Sequence, residues 1–339
     1  MLGSFSASEV RMQMVALGRF GPQVSRVGLG CMGMSDFYGP ADGEECIATI
    51  HAALDQGITL LDTGDFYGMG HNEMLIGRAL RGKARERVLL SVKFGALRAP
   101  NGTFLGFDGR PQAVQNFATY TLKRLGVEYI DIYRPARVDP NVPIEDTVGA
   151  IVDLIRAGYV RYVGLSEAGS ETLRRAQAVY PIADLQIEYS LASRGIEGGL
   201  LHTVRELGIG ITAYGVFSRG LLTGTLPASV AGPRAHMPRF QGENYQRNAR
   251  LVEALATIAR RKGVTPAQLA LAWVLSRGSD IIPLIGTKQR GRLREGIETL
   301  ALALSGEELT EIEAAVPARH VAGTRYPTEH MVQLDSEDG

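Results

Sequence analysis

The sequence is poor in cysteine, with only Cys31 and Cys46 among 339 residues. Two thiols cannot build a disulfide framework, and no Cys or His spacing resembles that of a zinc site, so we expect no bound metal and a reducing, cytoplasmic setting. Charge of one sign is not in excess either, because 36 Lys and Arg residues balance 36 Asp and Glu residues. Without a basic field, neither nucleic acid nor an anionic membrane surface is favoured as a partner.

Long apolar runs are also missing. No stretch approaches the roughly 18 uninterrupted apolar residues of a membrane-spanning helix. The N-terminal MLGSFSASEVRMQMV has no basic segment followed by an apolar core, so it does not resemble a signal peptide. We therefore expect neither export nor membrane insertion. The overall composition, 45% hydrophobic and 21% charged, is typical of globular proteins.

Eight short apolar runs alternate with amphipathic segments along the chain. The runs are RVGLG, ITLLDT, RVLLSVKF, YIDIYR, VRYVGLS, ADLQIEY, GIGITAY and DIIPLIG. The segments between them have apolar residues at helical spacing, and most end at Gly or Pro. Continuous apolar runs are typical of parallel strands that are covered on both faces. The alternation predicts an α/β fold, a (β/α)₈ TIM barrel formed as a single domain by residues 1–339.

Several segments lie outside this eightfold alternation. The stretches QMVALGRFG and QVSRVGLG predict an N-terminal β-hairpin at about residues 14–28, placed as a plug over one barrel end. Residues from 215 to about 246 are predicted to form a loop that is longer than is usual between a strand and its helix. Loops of this length are usually lids or disordered segments. An accessory helix is predicted at 265–277, and the tail from about 317 to 339 is polar and irregular.

The stretch VGLGCMG, residues 27–33, matches the pattern G-x-G-x-x-G of dinucleotide-binding loops. In a Rossmann domain this pattern opens a helix at its third glycine. Here Gly33 is followed by MSDFYGPADG, which has the composition of a loop, and the next helical pattern starts around Asp42. The match therefore does not favour a Rossmann domain.

Three residues that follow predicted strands could make a proton donor. In a barrel of this type, side chains at the carboxyl ends of the strands face the active site, and Asp62, Tyr67 and Lys93 lie at such ends. A phenol has a pKa of about 10, and an adjacent ammonium lowers it while a carboxylate holds the ammonium in place. Each of the three also has a purely structural interpretation. Asp62 would then cap a loop, Tyr67 would pack in the core and Lys93 would form a structural ion pair. His71, which opens the following helix, is expected to cap it.

Several motifs, in order along the chain, resemble the aldo-keto reductase superfamily. They are Asp62-(x4)-Tyr67-Gly68, Lys93 in SVKFG, GLSEA (164–168), LQIEYS (185–190), AYGVFSRGLLTG (213–224) and IGTK (285–288). The match runs from about Val15 to about Leu304, and it is most similar to the bacterial and plant aldehyde and ketone reductases with a long loop after the seventh strand. The resemblance implies a (β/α)₈ barrel that reduces an aldehyde or ketone with NADPH, without a Rossmann domain.

The resemblance also implies roles for individual residues. Asp62, Tyr67 and Lys93 match three members of the family's catalytic tetrad, with Tyr67 as the general acid. The residues that match the family's cofactor site are Gly30, Met32, Gly33, Asp62, Ser166, Gln186, Tyr214, Gly215, Phe217, Arg219, Gly220, Leu221, Gly286, Lys288, Arg292 and Glu295.

Within that implied cofactor site, Ser166 and Gln186 hold the nicotinamide carboxamide and Tyr214 stacks on the nicotinamide ring. The segment 217–221 grips the pyrophosphate through its backbone. The glycine run after the first strand lets the backbone pass close to the nicotinamide. The resemblance thus implies that VGLGCMG lies beside the cofactor, although it is not a Rossmann loop.

The resemblance places Lys288 and Arg292 on the adenosine 2′-phosphate and Glu295 on the adenine. Two cations at that position favour NADPH over NADH, because guanidinium and ammonium groups bind the extra phosphate. A solvated helix N-terminus is the alternative interpretation for both cations. Cations are poorly placed against the dipole of a helix N-terminus, which favours an anionic ligand nearby.

The sequence departs from the family at the fourth tetrad position. The family has a histidine there, in a stretch resembling Y-x-H-R-x-D, whereas residues 134–139 read RPARVD, with Ala136 in place of the histidine. The histidine donates a hydrogen bond to the carbonyl oxygen, and losing one such donor costs about 10²- to 10³-fold in turnover. Because Arg134 and Pro135 also break the pattern, a natural subgroup is favoured over an engineered substitution.

Three interpretations of this departure are open. In the first, Arg134 belongs to the catalytic set as the replacement donor, because residues two apart in a strand share a face. In the second, Tyr67 or an ordered water polarises the carbonyl, and the smaller Ala136 makes room for a bulky ketone. In the third, the protein is an NADPH-binding sensor or regulatory subunit with vestigial activity. A dehydrogenase working in the alcohol-oxidising direction is a further rival, and the sequence carries no signal of substrate identity or oligomeric state.

Overall fold

A computed structural model of the chain describes residues 11–35, 37–83, 85–224, 230 and 232–337. A short antiparallel hairpin, β1 (Met14–Ala16) and β2 (Gln23–Ser25), precedes the barrel. Eight parallel strands then close on themselves in chain order. They are β3 (Gly28–Gly30), β4 (Leu60–Gly64), β5 (Leu89–Phe94), β8 (Ile130–Pro135), β9 (Val160–Ser166), β10 (Ile182–Glu188), β11 (Gly210–Tyr214) and β12 (Ile281–Gly286). The predicted (β/α)₈ barrel with its N-terminal hairpin is confirmed.

The helices surround this barrel. They are α1 (Gly43–Asp55), α2 (His71–Leu80), α3 (Pro111–Leu125), α4 (Ile144–Arg156), α5 (Ser170–Val179), α6 (Gly199–Glu206), α7 (Gly242–Lys262), α8 (Pro266–Ser276), α9 (Arg290–Glu298), α10 (Gly306–Ala315) and α11 (Thr328–Met331). Local signals set several ends, as at α8, where Thr265 and Gln268 form a capping box ahead of a proline at the first helical position. None of the helices within the described ranges has the length and apolar character needed to cross a membrane.

Some elements differ from the sequence-based expectation. A second hairpin, β6 (Ala96–Arg98) and β7 (Phe104–Phe107), follows β5, and α10 forms where no helix was expected. The loop after β11 ends at α7, earlier than predicted, and its residues 225–229 and 231 lie outside the described part of the chain, as do residues 1–10 and 338–339 of the predicted domain.

Most of the hydrophobic core lies between the strands and the helices. On β5 and β8, for example, Phe94 and Tyr133 point outward and stack with ring centroids 4.3 Å apart. Buried Val148 and Ile151 on one face of α4 belong to the same core cluster. Helices therefore cover the outside of the barrel, as the continuous apolar runs predicted.

The barrel interior has an apolar lower layer. It is formed by strand residues together with side chains of the hairpin region, namely Leu17, Val24, Leu60, Ile132, Ile282 and Leu284. The hairpin thus closes this end of the barrel, in agreement with its predicted position as a plug. On β4 and β8, the inward side chains two positions further along are polar, namely Asp62 and Arg134, because inward positions recur with a period of two.

Arg134 and Asp184 form an ion pair within this polar layer. The Nη2 atom of Arg134 lies 3.1 Å from Oδ2 of Asp184, and both side chains are fully buried. Burial raises the pKa of Asp184, whereas the charge of Arg134 and a hydrogen bond from Thr212 lower it. Gly164 lies on β9, between the two strands that carry the pair. A Cβ at Gly164 would lie 2.6 Å from Oδ1 of Asp184 and 3.1 Å from Nε of Arg134, so the pair requires glycine there.

Asp65 directly follows β4 and begins the turn that carries Tyr67. Its Oδ2 atom accepts a hydrogen bond of 3.4 Å from the backbone N–H of Gly95, and its Oδ1 atom has no partner among the described residues. Burial, aided by the negative charge of Glu73, raises the pKa of Asp65 to about 7. The folded chain therefore favours the neutral form of this carboxyl group.

We expect Gly164→Ala to lower the free energy of unfolding by about 1–3 kcal/mol, because the added methyl group overpacks the buried ion pair. Urea unfolding followed by tryptophan fluorescence measures the change. Gly149→Ala in α4 is the matched control, because a Cβ there would meet no atom within 4 Å, and alanine is favoured over glycine in a helix by about 1 kcal/mol. An unchanged free energy of unfolding for Gly164→Ala would contradict the packing argument.

We expect Asp65→Asn to stabilise the protein at pH 8 by about 1–3 kcal/mol, because it removes a buried carboxylate with an unpaired oxygen. The raised pKa of Asp65 means that its neutral form stabilises the fold below the unfolded value of 3.8 and that this contribution is lost as the pH rises through about 7. The advantage of the variant should therefore grow over that range. Urea unfolding across the range tests this, with exposed Asp153→Asn as control; parallel pH profiles of variant and wild type would refute it.

Candidate active site

Asp62 and Lys93 form a buried ion pair at the carboxyl ends of β4 and β5. The Nζ atom of Lys93 lies 2.6 Å from Oδ2 of Asp62. The Oδ1 atom of Asp62 accepts two further hydrogen bonds, from Oγ of Ser91 at 2.9 Å and from Nε2 of Gln186 at 2.7 Å. These three donors compensate the carboxylate for its removal from water. Burial lowers the pKa of Lys93, whereas the charge of Asp62 raises it.

Tyr67 lies over this ion pair, with its ring centroid 5.0 Å from Nζ of Lys93. Burial and the charge of Asp62 raise the pKa of Tyr67 well above its usual value, and the positive charge of Arg137 acts in the opposite direction. The expected overall lowering of this pKa is therefore not found in the chain as it stands, because the phenol is buried beside the carboxylate that pairs with the ammonium. The hydroxyl stays protonated at neutral pH, as a proton donor requires.

Arg134 does not reach the pocket that was predicted for it. Its side chain is fully buried, with Nη2 2.9 Å from Oγ of Ser91 and 3.1 Å from Oδ2 of Asp184. Arg134 points inward, as predicted from the period of two, but residues two apart on an inward face lie in successive layers of the barrel. Arg134 therefore touches the Asp62 carboxylate only through Ser91, one layer below Tyr67.

The two residues that follow β8 define the next layer. The backbone N–H of Ala136 donates to the carbonyl oxygen of Phe94 at 2.7 Å, and its methyl side chain offers no donor. Arg137 turns its guanidinium along the mouth, with Nη1 2.6 Å from the carbonyl oxygen of Ala136 and Nη2 3.4 Å from the hydroxyl of Tyr326. Sequence reasoning assigned no role to Arg137.

The three residues expected to contact nicotinamide lie at the ends of neighbouring strands β9, β10 and β11. The Oγ atom of Ser166 is buried and, within the described ranges, has no hydrogen-bond partner. Gln186 donates to Asp62, and the hydroxyl of Tyr214 donates to Oε1 of Glu167 at 2.6 Å. A buried hydroxyl without a partner, on the strand next to that of the Gln186 amide, fits a ligand amide such as a carboxamide.

The segment 217–221, expected to grip the pyrophosphate, comprises Phe217 and the first part of the turn Ser218–Thr223. The predicted cofactor residue Gly215 precedes it, at φ 65°. Ser218, Arg219 and Gly220 have φ values of 46°, 55° and 91°, so two residues with side chains adopt the left-handed region. Such strained backbone persists where the surrounding structure holds it, and it is frequent at ligand sites. Leu221 anchors the segment by packing with Phe240 and Val252.

Of the residues expected around the adenosine end, Lys288 lies in the loop between β12 and α9, and Arg292 and Glu295 lie on α9. A cavity of about 480 Å³ is lined by Glu45, Gln289, Gly291, Arg292 and Glu295. Arg292 pairs with Glu295 at 2.9 Å. Lys288 instead donates to the loop after β3, through Nζ contacts of 2.6–3.3 Å with the carbonyl oxygens of residues 38–40. Only Arg292 and Glu295 of the predicted trio thus line the cavity.

The glycine run of β3 lies beside β12. Gly30 pairs with Gly286, and a Cβ on Gly30 would lie 3.5 Å from the Cα of Gly286. Met32 and Gly33 form a short turn, and a Cβ on Gly33 would meet the ring of Tyr38 at 3.3 Å. The structure therefore brings these predicted cofactor residues to one side of the mouth, without the long helix that a Rossmann loop opens.

Five charged residues at the mouth form a buried network, which we call the mouth cluster: Glu167, Glu188, Arg219, Arg239 and Arg325. Arg325 binds both oxygens of Glu167, at 2.7 and 2.5 Å. Glu188 lies 3.2 Å from Arg219 and 3.4 Å from Arg239. Burial raises the pKa of Glu167, but the hydrogen bonds and charge of Arg325 hold it at about 2.

The C-terminal tail lies across the mouth. Besides Arg325, it contributes Tyr326, whose hydroxyl is 2.9 Å from that of Tyr214 and whose ring centroid is 4.4 Å from Cζ of Arg219. Ser336 donates to Glu167 at 2.7 Å. The tail was predicted only as polar and irregular. The partners of Tyr326 and Ser336 lie more than a hundred positions away, so these contacts produce no local pattern in the sequence.

The loop after β11 packs onto the same mouth. Arg239 donates to Oγ of Ser193 at 2.8 Å and to the carbonyl oxygen of Ala192 at 2.7 Å. Asn248, at the start of α7, donates to the carbonyl oxygens of Arg239 and Ala322, at 3.0 and 2.9 Å. The described part of this loop is therefore packed against the barrel and the tail.

His71 does not cap its helix as expected. The N-cap position of α2 is Gly70, without a side-chain hydrogen bond, and the Nδ1 atom of His71 lies 2.9 Å from Oγ of Ser35. Asn72 donates to the same hydroxyl at 2.8 Å. Both residues therefore tie the turn after Tyr67 to the loop that follows β3.

Comparisons with known proteins agree with this geometry. The profile of the Aldo/keto reductase family matches residues 26–317. The protein named "Probable aldo-keto reductase 1" of Glycine max is 43% identical over 325 residues, which cover 94% of this chain and 93% of that protein.

Two solved structures share the fold over nearly their whole length. A glycerol dehydrogenase from Gluconobacter oxydans has a TM-score of 0.82 at 29% identity, covering 95% of this chain and 99% of that one. An aldo-keto reductase from Bacillus halodurans, in its holo form, has a TM-score of 0.76 at 25% identity, covering 91% and 99%. Together with the profile and the plant relative, these matches span the barrel and its candidate site, and the protein belongs to the Aldo/keto reductase family, a family of oxidoreductases.

Proposed function

We propose that the protein is an NADPH-dependent reductase that converts an aldehyde or ketone to an alcohol, with Tyr67 as the proton donor. The observation that carries the proposal is the position of the protonated phenol over the Lys93–Asp62 ion pair, 5.0 Å from the ammonium to the ring centroid. A reducing, cytoplasmic setting is part of the proposal, and two free, buried cysteines are consistent with it.

Several features support a nicotinamide at the mouth. The unpartnered Oγ of Ser166 offers a donor or acceptor to the carboxamide, and Gln186 lies on the neighbouring strand. Tyr214 ends β11 with its ring at the mouth, and the left-handed segment 218–220 follows it. These residues would hold the cofactor with its ring near Tyr67, while Arg292 and Glu295 line the cavity at the other end.

A bound NADPH, held by Ser166, Gln186 and Tyr214, would supply the hydride for the carbonyl carbon in the proposed reaction. Tyr67 donates its phenolic proton to the carbonyl oxygen, so that the carbonyl compound gains one hydride and one proton and becomes the alcohol. The ammonium of Lys93 stabilises the negative charge that develops on the phenol oxygen, and Asp62 keeps the ammonium in place. A proton from solvent then restores the phenol.

Ala136 is the specific observation that favours a second candidate, an NADPH-binding sensor or regulatory subunit. Its methyl group donates no hydrogen bond, and Arg134 is held by Ser91 and Asp184 in the layer below. A site without that donor retains the binding residues but has a weaker electrostatic stabilisation of the transition state. Single-turnover oxidation of NADPH with a panel of aldehydes and ketones separates the two candidates, because a sensor would bind the cofactor without oxidising it.

We expect Tyr67→Phe to lower kcat for a neutral aldehyde by about 10²- to 10⁴-fold, the usual contribution of a general acid. The dissociation constant of NADPH should stay unchanged, because the phenol hydroxyl is not among the proposed cofactor contacts. Stopped-flow absorbance of NADPH measures the first quantity and fluorescence titration the second. Tyr159→Phe, at an exposed position, is the matched control. Full turnover by Tyr67→Phe would rule out the proposed proton donor.

We expect Arg292→Ala to weaken NADPH binding by about 10- to 100-fold and NADH binding very little, because one charged hydrogen bond to the 2′-phosphate is lost. Lys288→Ala should act in the same direction, with a smaller effect because its ammonium must first leave the carbonyl oxygens of the loop. Arg294→Ala, on the exposed side of α9, is the control. Equal losses for the two cofactors would contradict a 2′-phosphate site at Arg292.

A further inference from the structure

Arg137 is fixed at the mouth by two contacts that leave most of its guanidinium free. Nη1 donates to the carbonyl oxygen of Ala136 at 2.6 Å, and Nη2 has a long contact of 3.4 Å with the hydroxyl of Tyr326. A guanidinium has five N–H donors in a planar fork. Three donors therefore remain for a ligand at the position where the side chain of residue 136 is only a methyl group.

The charges at the mouth single out the same residue. Lys93 pairs with Asp62 at 2.6 Å, Arg219 with Glu188 at 3.2 Å and Arg325 with Glu167 at 2.5 Å. Within the described parts of the chain, Arg137 has no carboxylate within 4.0 Å. Burial lowers the pKa of Arg137, and the charge of Glu167, acting from beyond that distance, is among the influences that raise it. A half-buried cation that makes no ion pair of its own can bind an anionic ligand, because ionised donors bind carboxylates more strongly than neutral groups.

Arg137 also lies close to the proposed proton donor. It follows Ala136, whose backbone N–H bonds to the end of β5, the strand that carries Lys93. Tyr326 links the guanidinium to Tyr214, with hydroxyl oxygens 2.9 Å apart. The charge of Arg137 acts on Tyr67, whose pKa it lowers against the effect of burial. An anionic group bound here would therefore be part of the molecule whose carbonyl meets Tyr67.

We propose that Arg137 is a specificity-determining residue that binds a carboxylate on the substrate, so that the preferred substrates are aldehydes or ketones carrying a carboxylate a few bonds from the carbonyl. Arg137 and the carboxylate make two parallel hydrogen bonds, a geometry that the planar fork of arginine favours and that lysine cannot reproduce. The inference rests on the proposed carbonyl reduction and deepens it by naming the substrate class.

The test compares succinic semialdehyde with its methyl ester, which has the same carbonyl and no charge. We expect the wild-type protein to show at least about tenfold higher kcat/KM for the acid, because a hydrogen-bonded ion pair contributes that much. Arg137→Gln should raise KM for the acid by about 10- to 100-fold and leave the ester nearly unchanged. Arg137→Lys should restore part of the preference. Arg156→Gln, at an exposed position on α4, is the control variant.

A binding measurement makes the inference independent of turnover. Succinate, titrated calorimetrically with and without NADPH, should bind the wild type and lose about 10- to 100-fold in affinity in Arg137→Gln. Equal kcat/KM for acid and ester, or an unchanged succinate affinity in Arg137→Gln, would overturn the inference. So would an equal fall of kcat for both substrates, because the guanidinium would then meet the carbonyl oxygen. If neither substrate is turned over, the panel of aldehydes and ketones decides on the reductase, and the succinate titration alone decides whether the anion site exists.

Discussion

The ion pair between Lys93 and Asp62 is the interaction on which the candidate site depends. Two charges buried inside a barrel are tolerated only when they are paired and hydrogen-bonded, and Asp62 has donors from three residues. Those donors come from β5 and β10, so the carboxylate joins strands on different sides of the barrel. Tyr67 lies above this carboxylate and Arg134 lies one layer below it, joined to it through Ser91.

The mouth cluster has a comparable role for the segments outside the barrel. Two carboxylates on the strand ends bind arginines from the loop after β11 and from the tail, which are far apart in the sequence. Each arginine is itself nearly buried, so the ion pairs gain from reduced screening by solvent. Loop and tail are therefore positioned by charge, and the wall of the pocket is assembled from segments that have little regular secondary structure.

The sequence was sufficient to predict the barrel and the neighbourhood of Asp62, Tyr67 and Lys93, because eight alternations of strand and helix leave few alternatives and the carboxyl ends of the strands share one rim. It was insufficient for Arg134, since a period of two indicates a face but not a layer. The tail contacts of Arg325 and Tyr326 could not be predicted either. They depend on side-chain bonds across more than a hundred residues, and neither propensity nor periodicity records such bonds.

The N-terminal hairpin has a consequence for the movement of protons. Leu17 and Val24 pack against an apolar layer at the lower end of the barrel, and such a layer offers few hydrogen-bond partners to water on that side of Asp62 and Lys93. In the proposed reaction, we therefore expect the proton that Tyr67 gives up to be replaced through the opening by which the substrate enters. Reprotonation of the phenol and release of the alcohol would then use the same opening. The rate of turnover would depend on how quickly the product leaves through it.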